Sequence, residues 1–467
     1  MFGKIKRIHM VGIGGSGMCG IAEILLDLGH SVSGSDLKES AVTARLASLG
    51  ALIQIGHAAE NVGNSDVVVI SSAVSADNPE VITARARKIP VIPRAEMLAE
   101  LMRIKYGITI AGAHGKTTTT SMTGLVLHDA GLDPTIIIGG RLQAFGSNAR
   151  AGRGEFIVVE ADESDGSFLK LSASIAVITN IDSEHLDHYK DLDEIRRSFI
   201  EFANKVPFYG AVILCIDNAE NRNIMPFIQR KAITYGLSHE ADFRAVPIQM
   251  KEFSSEYEVY HHNMRLGVVK LHVPGMHSIV NSLAAIAAAS ELEISFDTAR
   301  TSLAHFRGVD RRFQLRAEAN DILIVDDYAH HPSEIEATLN AARQGWNRRI
   351  VAVFQPHRYT RLYHLFNDFT RCFNQADVLV LTDIYAAGEE PIPDVTIDRF
   401  VKTLHHPNSI LHKDINTLPE KVLSIVRPGD LVLFLGAGNI TSAAEKAGKL
   451  LLEKHNALAG EDAGSTR

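Results

Sequence analysis

Gly112-Ala113-His114-Gly115-Lys116-Thr117 follows the β-branched run Gly107 to Ala111 and precedes a segment whose Met122, Leu125 and Val126 share one helical side. A strand that breaks into a glycine loop and then opens a helix is the repeating unit of a parallel sheet covered by helices. The loop is also a phosphate cradle. Its backbone N–H groups and Lys116 are suited to the β- and γ-phosphates of a nucleotide, and the Thr117 hydroxyl to magnesium. A longer spacing between the two glycines is usual; here only Ala113 and His114 separate them.

Outward from this loop the chain repeats the pattern. Asp66 to Ile70, Glu155 to Val159, Ile175 to Thr179, Ala211 to Cys215, Ile322 to Val325, Arg349 to Phe354, Asp377 to Leu381 and Asp430 to Leu435 are short apolar runs without alternation. Strands apolar on both faces belong in parallel sheets buried under helices. Helical segments lie between them, as Met18, Ile21, Ala22 and Leu25 illustrate with their single buried face. The fold class is therefore α/β, in doubly wound layers. Glu252 to His272 alternates instead and predicts an antiparallel hairpin, and the polar tail from Ala457 is expected to fray.

A chain of 467 residues is too long for one core, and about 150 residues per domain suggests about three. Changes of pattern near Arg103 to Tyr106 and Arg307 to Arg312 divide it into residues 1–104, 105–308 and 309–467. The net charge of -8, from 47 Lys and Arg against 55 Asp and Glu, argues against a nucleic-acid partner. No apolar run approaches the ~18 residues of a membrane span, and the N-terminal glycines interrupt any export signal. A cytoplasmic protein with no membrane partner is expected. Cys19, Cys215 and Cys372 are odd in number and widely spaced, and read as free thiols.

A second glycine loop, Gly12-Ile13-Gly14-Gly15-Ser16-Gly17, follows the strand Arg7 to Val11, and Asp36 stands at the end of the next strand. This arrangement suits either NAD or another pyrophosphate-bearing nucleotide. A dehydrogenase has no use for a γ-phosphate, however. Transfer driven by a nucleoside triphosphate onto a nucleotide-bearing substrate accounts for both loops.

Carboxylates cluster at predicted strand ends. Glu160 is the first candidate metal ligand, followed by Asp162, Glu163 and Asp165, which also fit a solvated loop. Asn180 to Asp187 is a second cluster, in which His185 suits a second cation, a phosphate or a loop cap. Farther on, Asp326-Asp327-Tyr328-Ala329-His330-His331-Pro332 follows one strand and Gln355 to Arg361 the next. Arg358 and Arg361, three apart, suit capture of a small carboxylate.

Taken in order, GxGGxGMxGIAE at Gly12 to Glu23, GxxGKT at Gly112 to Thr117, EADESD at Glu160 to Asp165, TNIxxEHLDxY at Thr179 to Tyr189, GxHxxxNxLAAIA at Gly275 to Ala287, DRRFQ at Asp310 to Gln314, DDYAHHP and FQPHRYTR resemble the Mur ligases of peptidoglycan synthesis. The resemblance covers nearly the whole chain. It implies a Rossmann-like N-terminal domain for a UDP substrate, a central P-loop-type ATPase domain with a parallel sheet, and a Rossmann-like C-terminal domain for an amino acid. The implied reaction joins L-alanine to UDP-N-acetylmuramate through an acyl phosphate, with ATP cleaved to ADP. It would be the first peptide step in building the cell wall, on which cell shape and division depend. A recycling ligase that adds a tripeptide to the same nucleotide is the alternative.

By the same likeness Gly12, Gly14, Gly15, Ser16, Gly17, Asp36 and Ser72 would hold the UDP substrate. Gly112, Ala113, His114, Gly115, Lys116, Thr117, Thr118, His277, Asn281, Arg312 and Asp327 would hold ATP. Thr117, Glu160 and His185 would serve two magnesium sites, and Tyr328, His330, Arg358 and Arg361 would surround L-alanine. Lys116, His330 and Arg358 would be catalytic, His330 as base or orienter of the amine. Sister ligases carry a carbamoylated lysine after the metal histidine; Asp191 to Ala203 has no lysine, so no carbamate is expected. Ser278 and Ala329 also depart from the family's usual Asn and Gly.

Overall fold

The structure is a computed structural model that describes residues 5–71, 73–142, 147–184 and 188–464. Side chains of Ser16, Arg141, Leu142, Ser147 and residues 457–464 lie outside the description, as do Ser72 and His185 entirely.

Three sheets organise the described residues. The first holds β1 (Arg7–Val11), β2 (Ser31–Asp36), β3 (Leu52–Ile55), β4 (Val67–Ile70) and β5 (Val91–Pro93), all parallel, in the order β3-β2-β1-β4-β5. The chain reverses its direction of winding between β1 and β4. Ligands of open α/β sheets bind in the crevice at such a point.

The second sheet has ten strands: β6 (Tyr106–Ala111), β7 (Thr135–Leu142), β8 (Ser147–Arg150), β9 (Phe156–Glu160), β10 (Ile175–Ile178), β11 (Ala211–Cys215), β12 (Lys231–Gly236), β13 (Phe243–Lys251), β14 (Ser254–His261) and β15 (Met264–Leu271). Their order is β15-β14-β13-β12-β11-β10-β6-β9-β7-β8. β6 is central, parallel to β9 on one side and β10 on the other. The loops after these three strands therefore share one edge. The expected hairpin is a three-strand meander, because the pattern begins before Glu252, at Phe243.

The third sheet holds β16 (Gln314–Ala319), β17 (Ile322–Asp327), β18 (Arg349–Phe354), β19 (Val378–Leu381), β20 (Ser409–Leu411) and β21 (Asp430–Leu435), in the order β16-β17-β21-β18-β19-β20. Only β16 with β17 is antiparallel. β17, β18 and β21 are buried almost throughout, as continuous apolar runs require. The last helix, Ile440–Gly464, continues past Ala457 in place of the expected fraying; its alanines, leucines and glutamates favour helix.

Two compact units result. One comprises Met1–Val246, Glu258–Val269 and Val280–Phe306; the other Pro247–Tyr257, Lys270–Ile279 and Arg307–Arg467. Within the second, Phe253 from the β13–β14 connection meets Trp346 edge-on at 5.0 Å, and Trp346 stacks on Phe313 at 5.3 Å. Among the described residues no helix is long and apolar enough to cross a membrane. Cys19, Cys215 and Cys372 are buried and free of disulfides.

Candidate active site

The Gly112–Thr117 loop is fastened by the residues that follow β10. Ala113 N donates to Asn180 O at 3.1 Å, His114 N to Asn180 Oδ1 at 2.8 Å, and Thr179 Oγ1 to His114 O at 2.7 Å. Both glycines are required. Gly112 (φ +131°) leaves no room for a Cβ beside Thr179, and at Gly115 (φ +82°) a Cβ would stand 2.5 Å from Asn281 Oδ1. Asn281 therefore abuts the phosphate loop, from the helix Met276–Glu291.

Lys116, at the start of the helix Lys116–Asp129, donates through Nζ to Gly112 O (2.6 Å), Ala113 O (3.2 Å) and Glu163 Oε1 (2.8 Å). Desolvation disfavours its charge, yet Glu163 and Glu160 hold its pKa above the usual lysine range. It is a cation at the working pH. Glu163 is not a solvated loop residue: it is 3% exposed, and its own carbonyl accepts from Tyr189 OH at 2.6 Å. Asp162 beside it is drawn below the usual carboxylate range; burial opposes this, and Ser164 and Lys116 overcome it.

Thr117 Oγ1 donates to the Glu160 carboxylate, whose Oε2 also accepts from Gly139 N at 2.8 Å. A hydroxyl and a carboxylate next to a phosphate loop form the hard-oxygen set that magnesium takes together with nucleotide phosphates. These residues fit that ion. Thr118 follows, half-buried in the first helical turn.

At the first glycine loop, Gly12 N and Ile13 N donate to Ser35 O at 2.9 and 3.0 Å, and Gly14 N to Asp36 Oδ2 at 2.9 Å. The helix Ser16–Asp27 begins at Gly15 with no side-chain cap, which leaves N–H groups for an anion. Arg94 stands there too. A Cβ on Gly17 would lie 2.5 Å from its Nη1, and its Nη2 reaches Asp162 Oδ2 at 3.3 Å. Arg94 thus links the first glycine loop to the carboxylates near Lys116. A cavity of about 270 Å3 adjoins it, lined by Ser71, Arg94, Asp165, Ser167 and Lys170 among others.

In the other unit, Asp327 ends β17 and accepts from Phe313 N (2.8 Å) and Ala329 N (2.7 Å). Burial raises its pKa to about 6, against the pull of Arg312. The guanidinium groups of Arg311 and Arg312 lie over the Tyr328 ring at 4.7 and 5.1 Å, and Arg312 also pairs with Glu334 at 3.3 Å. His330 Nδ1 is 2.8 Å from Tyr328 O and 3.1 Å from Glu334 Oε2. Its ring is 5.9 Å from that of His357, which stacks on Tyr385.

Burial, with His330, Arg361 and Arg358 nearby, lowers the His357 pKa to about 3. The neutral ring accepts from Arg361 Nη1 at 3.2 Å. Arg358 holds φ +69°, a left-handed conformation costly for a residue with a Cβ, and its N–H donates to Tyr385 O at 2.8 Å. His330 and Arg361 thus flank His357, with the Tyr328 ring 5.0 Å from that of His330 and Arg358 next in sequence to His357. His277 is exposed, close to Gly275.

The sequence alone does not single out Arg94, His357 or Tyr385. His357 lies inside a quoted motif, whereas Arg94 opens the helix Arg94–Met102 and Tyr385 comes from a loop, neither within a motif. Ser16's side chain, Ser72 and His185 belong to the expected sites but lie outside the described residues.

Two nucleotide-type loops and a third sheet with a basic, histidine-rich edge define an ATP-dependent ligase, and the chain belongs to the Mur ligase family. The family's catalytic-domain model matches residues 7–106, its middle-domain model 110–289 and its glutamate ligase domain model 311–438. UDP-N-acetylmuramate–L-alanine ligase of Geotalea daltonii is 55% identical over 97% of this chain and 100% of its own length. The ligase of the same name from Trichlorobacter lovleyi is 56% identical over 97% and 100%. The crystal structure of UDP-N-acetylmuramate-alanine ligase from Thermotoga maritima superposes with a TM-score of 0.81, at 29% identity, over 97% of this chain and 99% of that one.

Proposed function

We infer that this chain joins L-alanine to the lactyl carboxylate of UDP-N-acetylmuramate while cleaving ATP to ADP and phosphate, in the cytoplasm, at the first peptide step of peptidoglycan synthesis. The observation that carries this reading is identity of 55% along nearly the whole length of relatives named for that reaction. The geometry supports it with a triphosphate-type loop and a separate glycine loop in one unit.

A carboxylate does not react with an amine at neutral pH, so it first accepts the γ-phosphoryl group to become an acyl phosphate. Two anions must then approach each other. Lys116, enclosed by Gly112, Ala113 and Glu163, supplies fixed positive charge to that encounter. Thr117 and Glu160 would hold one magnesium ion, and His185 would serve a second. Bound there, magnesium neutralises charge developing on the transferred phosphoryl group. The helix Leu192–Asn204 contains no lysine, so water or phosphate, and not a lysine carbamate, would complete the second site.

Gly12, Gly14, Gly15, Ser16, Gly17, Asp36 and Ser72 are assigned to the UDP portion. Arg94 joins them, because a guanidinium beside a helix N-terminus suits a pyrophosphate. Ala113, His114, Gly115, Thr118, Asn281, His277, Arg312 and Asp327 are assigned to ATP. Arg358 and Arg361 hold the alanine carboxylate, and Tyr328 walls the pocket. His330, fixed by Tyr328 O and Glu334, orients or deprotonates the attacking amine. The amine attacks the acyl carbon, and the tetrahedral intermediate expels phosphate.

The test is ADP release from a mixture of ATP, magnesium, UDP-N-acetylmuramate and L-alanine. Release that requires all four is expected; release indifferent to either acceptor substrate would overturn the reading.

A further inference from the structure

Beneath the first glycine loop lies a polar cluster that the reaction itself does not use. Glu80, in the first turn of the helix Pro79–Ala86, is 0% exposed, and so are His9 and Ser35. Removing a carboxylate from water costs several kcal/mol unless its lone pairs are satisfied. Here they are. Oε2 accepts from Ser35 Oγ at 2.6 Å and meets His9 Nε2 at 3.1 Å; Oε1 accepts from Asn61 Nδ2 at 2.7 Å and Ala58 N at 3.2 Å. His57 Nδ1 approaches the same centre, 3.0 Å from Ser35 Oγ.

The cluster ties together four stretches distant in sequence: β1 through His9, β2 through Ser35, the connection after β3 through His57, Ala58 and Asn61, and the helix that carries Glu80. Ser35 is the link to the binding loop. Its side chain donates to Glu80, while its carbonyl accepts from both Gly12 N and Ile13 N. The next residue, Asp36, grips Gly14 N. An apolar residue at position 80 could fill the same space, but it could not fix the orientation of Ser35.

We propose that Glu80 is a positioning residue for the UDP substrate: through Ser35 it sets the Gly12–Gly17 loop and Asp36 in the geometry that receives the nucleotide. This rests on the reading of function above and adds a residue that touches no substrate. The proposal separates Glu80 from a packing residue by which binding step it governs. Its loss should weaken the UDP substrate alone, because its hydrogen-bonded partners all lie in the first sheet and its connections.

The experiment measures KM for UDP-N-acetylmuramate, ATP and L-alanine, UDP binding by calorimetry, and thermal unfolding in the full chain and in Glu80→Gln, Glu80→Ala and Ser35→Ala. Glu80→Ala should raise KM for UDP-N-acetylmuramate and Kd for UDP about tenfold or more, with KM for ATP and L-alanine changed less than about twofold. Glu80→Gln, which keeps the shape and one acceptor oxygen, should fall between. Ser35→Ala leaves Glu80 with His9, Asn61 and Ala58, and supplies the answer if the Glu80 variants do not fold. Unchanged UDP-substrate KM in the variants that fold, or a parallel rise in all three KM values as unfolding temperature falls, overturns the proposal. Wild-type ADP release that ignores UDP-N-acetylmuramate instead overturns the functional reading.

Discussion

Thr117 Oγ1 lies 3.0 Å from one carboxylate oxygen of Glu160 and 3.1 Å from the other, so a hydroxyl from the phosphate loop and a carboxylate from the neighbouring strand converge on one point. If magnesium binds there, each residue supplies part of its coordination. Thr117→Val and Glu160→Gln are expected to raise the magnesium concentration for half-maximal ADP release by about ten- to a hundredfold. Titration of the metal at saturating ATP checks this.

Lys116 is held by two loop carbonyls and Glu163 within 3.2 Å, so its ammonium is already placed before any phosphate arrives. Lys116→Ala should lower kcat by about a thousandfold, on the scale of other preorganised charge contacts. Lys116→Arg should rescue little, because the planar guanidinium cannot satisfy the same three acceptors. Single-turnover ADP formation distinguishes a loss of chemistry from slow product release.

Gly115 has φ +82° and faces Asn281 at a separation a methyl group cannot share. Gly115→Ala therefore combines backbone strain with a collision, and should cost about 1–3 kcal/mol of stability and raise KM for ATP. Gly131→Ala, also at positive φ but with open space where the methyl would stand, should lose stability without the ATP effect. Thermal unfolding and KM measured on both variants test the distinction.

Asp327 is 6% exposed, with its pKa raised to about 6 against an ordinary 3.8. The folded state therefore binds a proton more tightly than the unfolded chain does. Its contribution to stability is fully present below about pH 4 and lost as pH rises through about 6. Asp327→Asn should remove this slope, a difference on the order of 3 kcal/mol across the interval. Urea unfolding of both proteins at pH 4 and pH 7 measures it.

Arg361 donates to the neutral ring of His357 and stands one helical turn from Arg358. Two cations so spaced favour one small carboxylate. L-alanine should be used faster than glycine, L-serine or a tripeptide, and Arg361→Ala should raise KM for L-alanine about tenfold or more while leaving KM for ATP alone. A preference for tripeptide would point to the recycling reaction instead.

The three sheets were legible because parallel strands buried on both faces must be written as unbroken apolar runs, as Ile322–Asp327 and Asp430–Leu435 are. The loops at their ends were legible because phosphate chemistry restricts which residues can follow such a strand. Glu163 shows where that stops. In sequence it is one carboxylate among four in a polar loop, and only the approach of Lys116 across 47 positions separates it from its solvated neighbours. Arg94, His357 and Tyr385 share that difficulty, since their partners come from other loops. Glu80 looks like an ordinary acidic residue in a first helical turn; its burial depends on how four separate segments pack.

Phe253 leaves the turn after β13 and completes an aromatic group with Trp346 and Phe313. A gene fragment starting near residue 309 would contain two of these rings and lack the third, together with the backbone bond from Glu252 N to Gly345 O. Such a fragment should aggregate unless a peptide covering residues 247–257 is supplied in trans. Dissection of this enzyme for biophysics, and the placement of tags or protease sites, should therefore follow spatial neighbours instead of linear order.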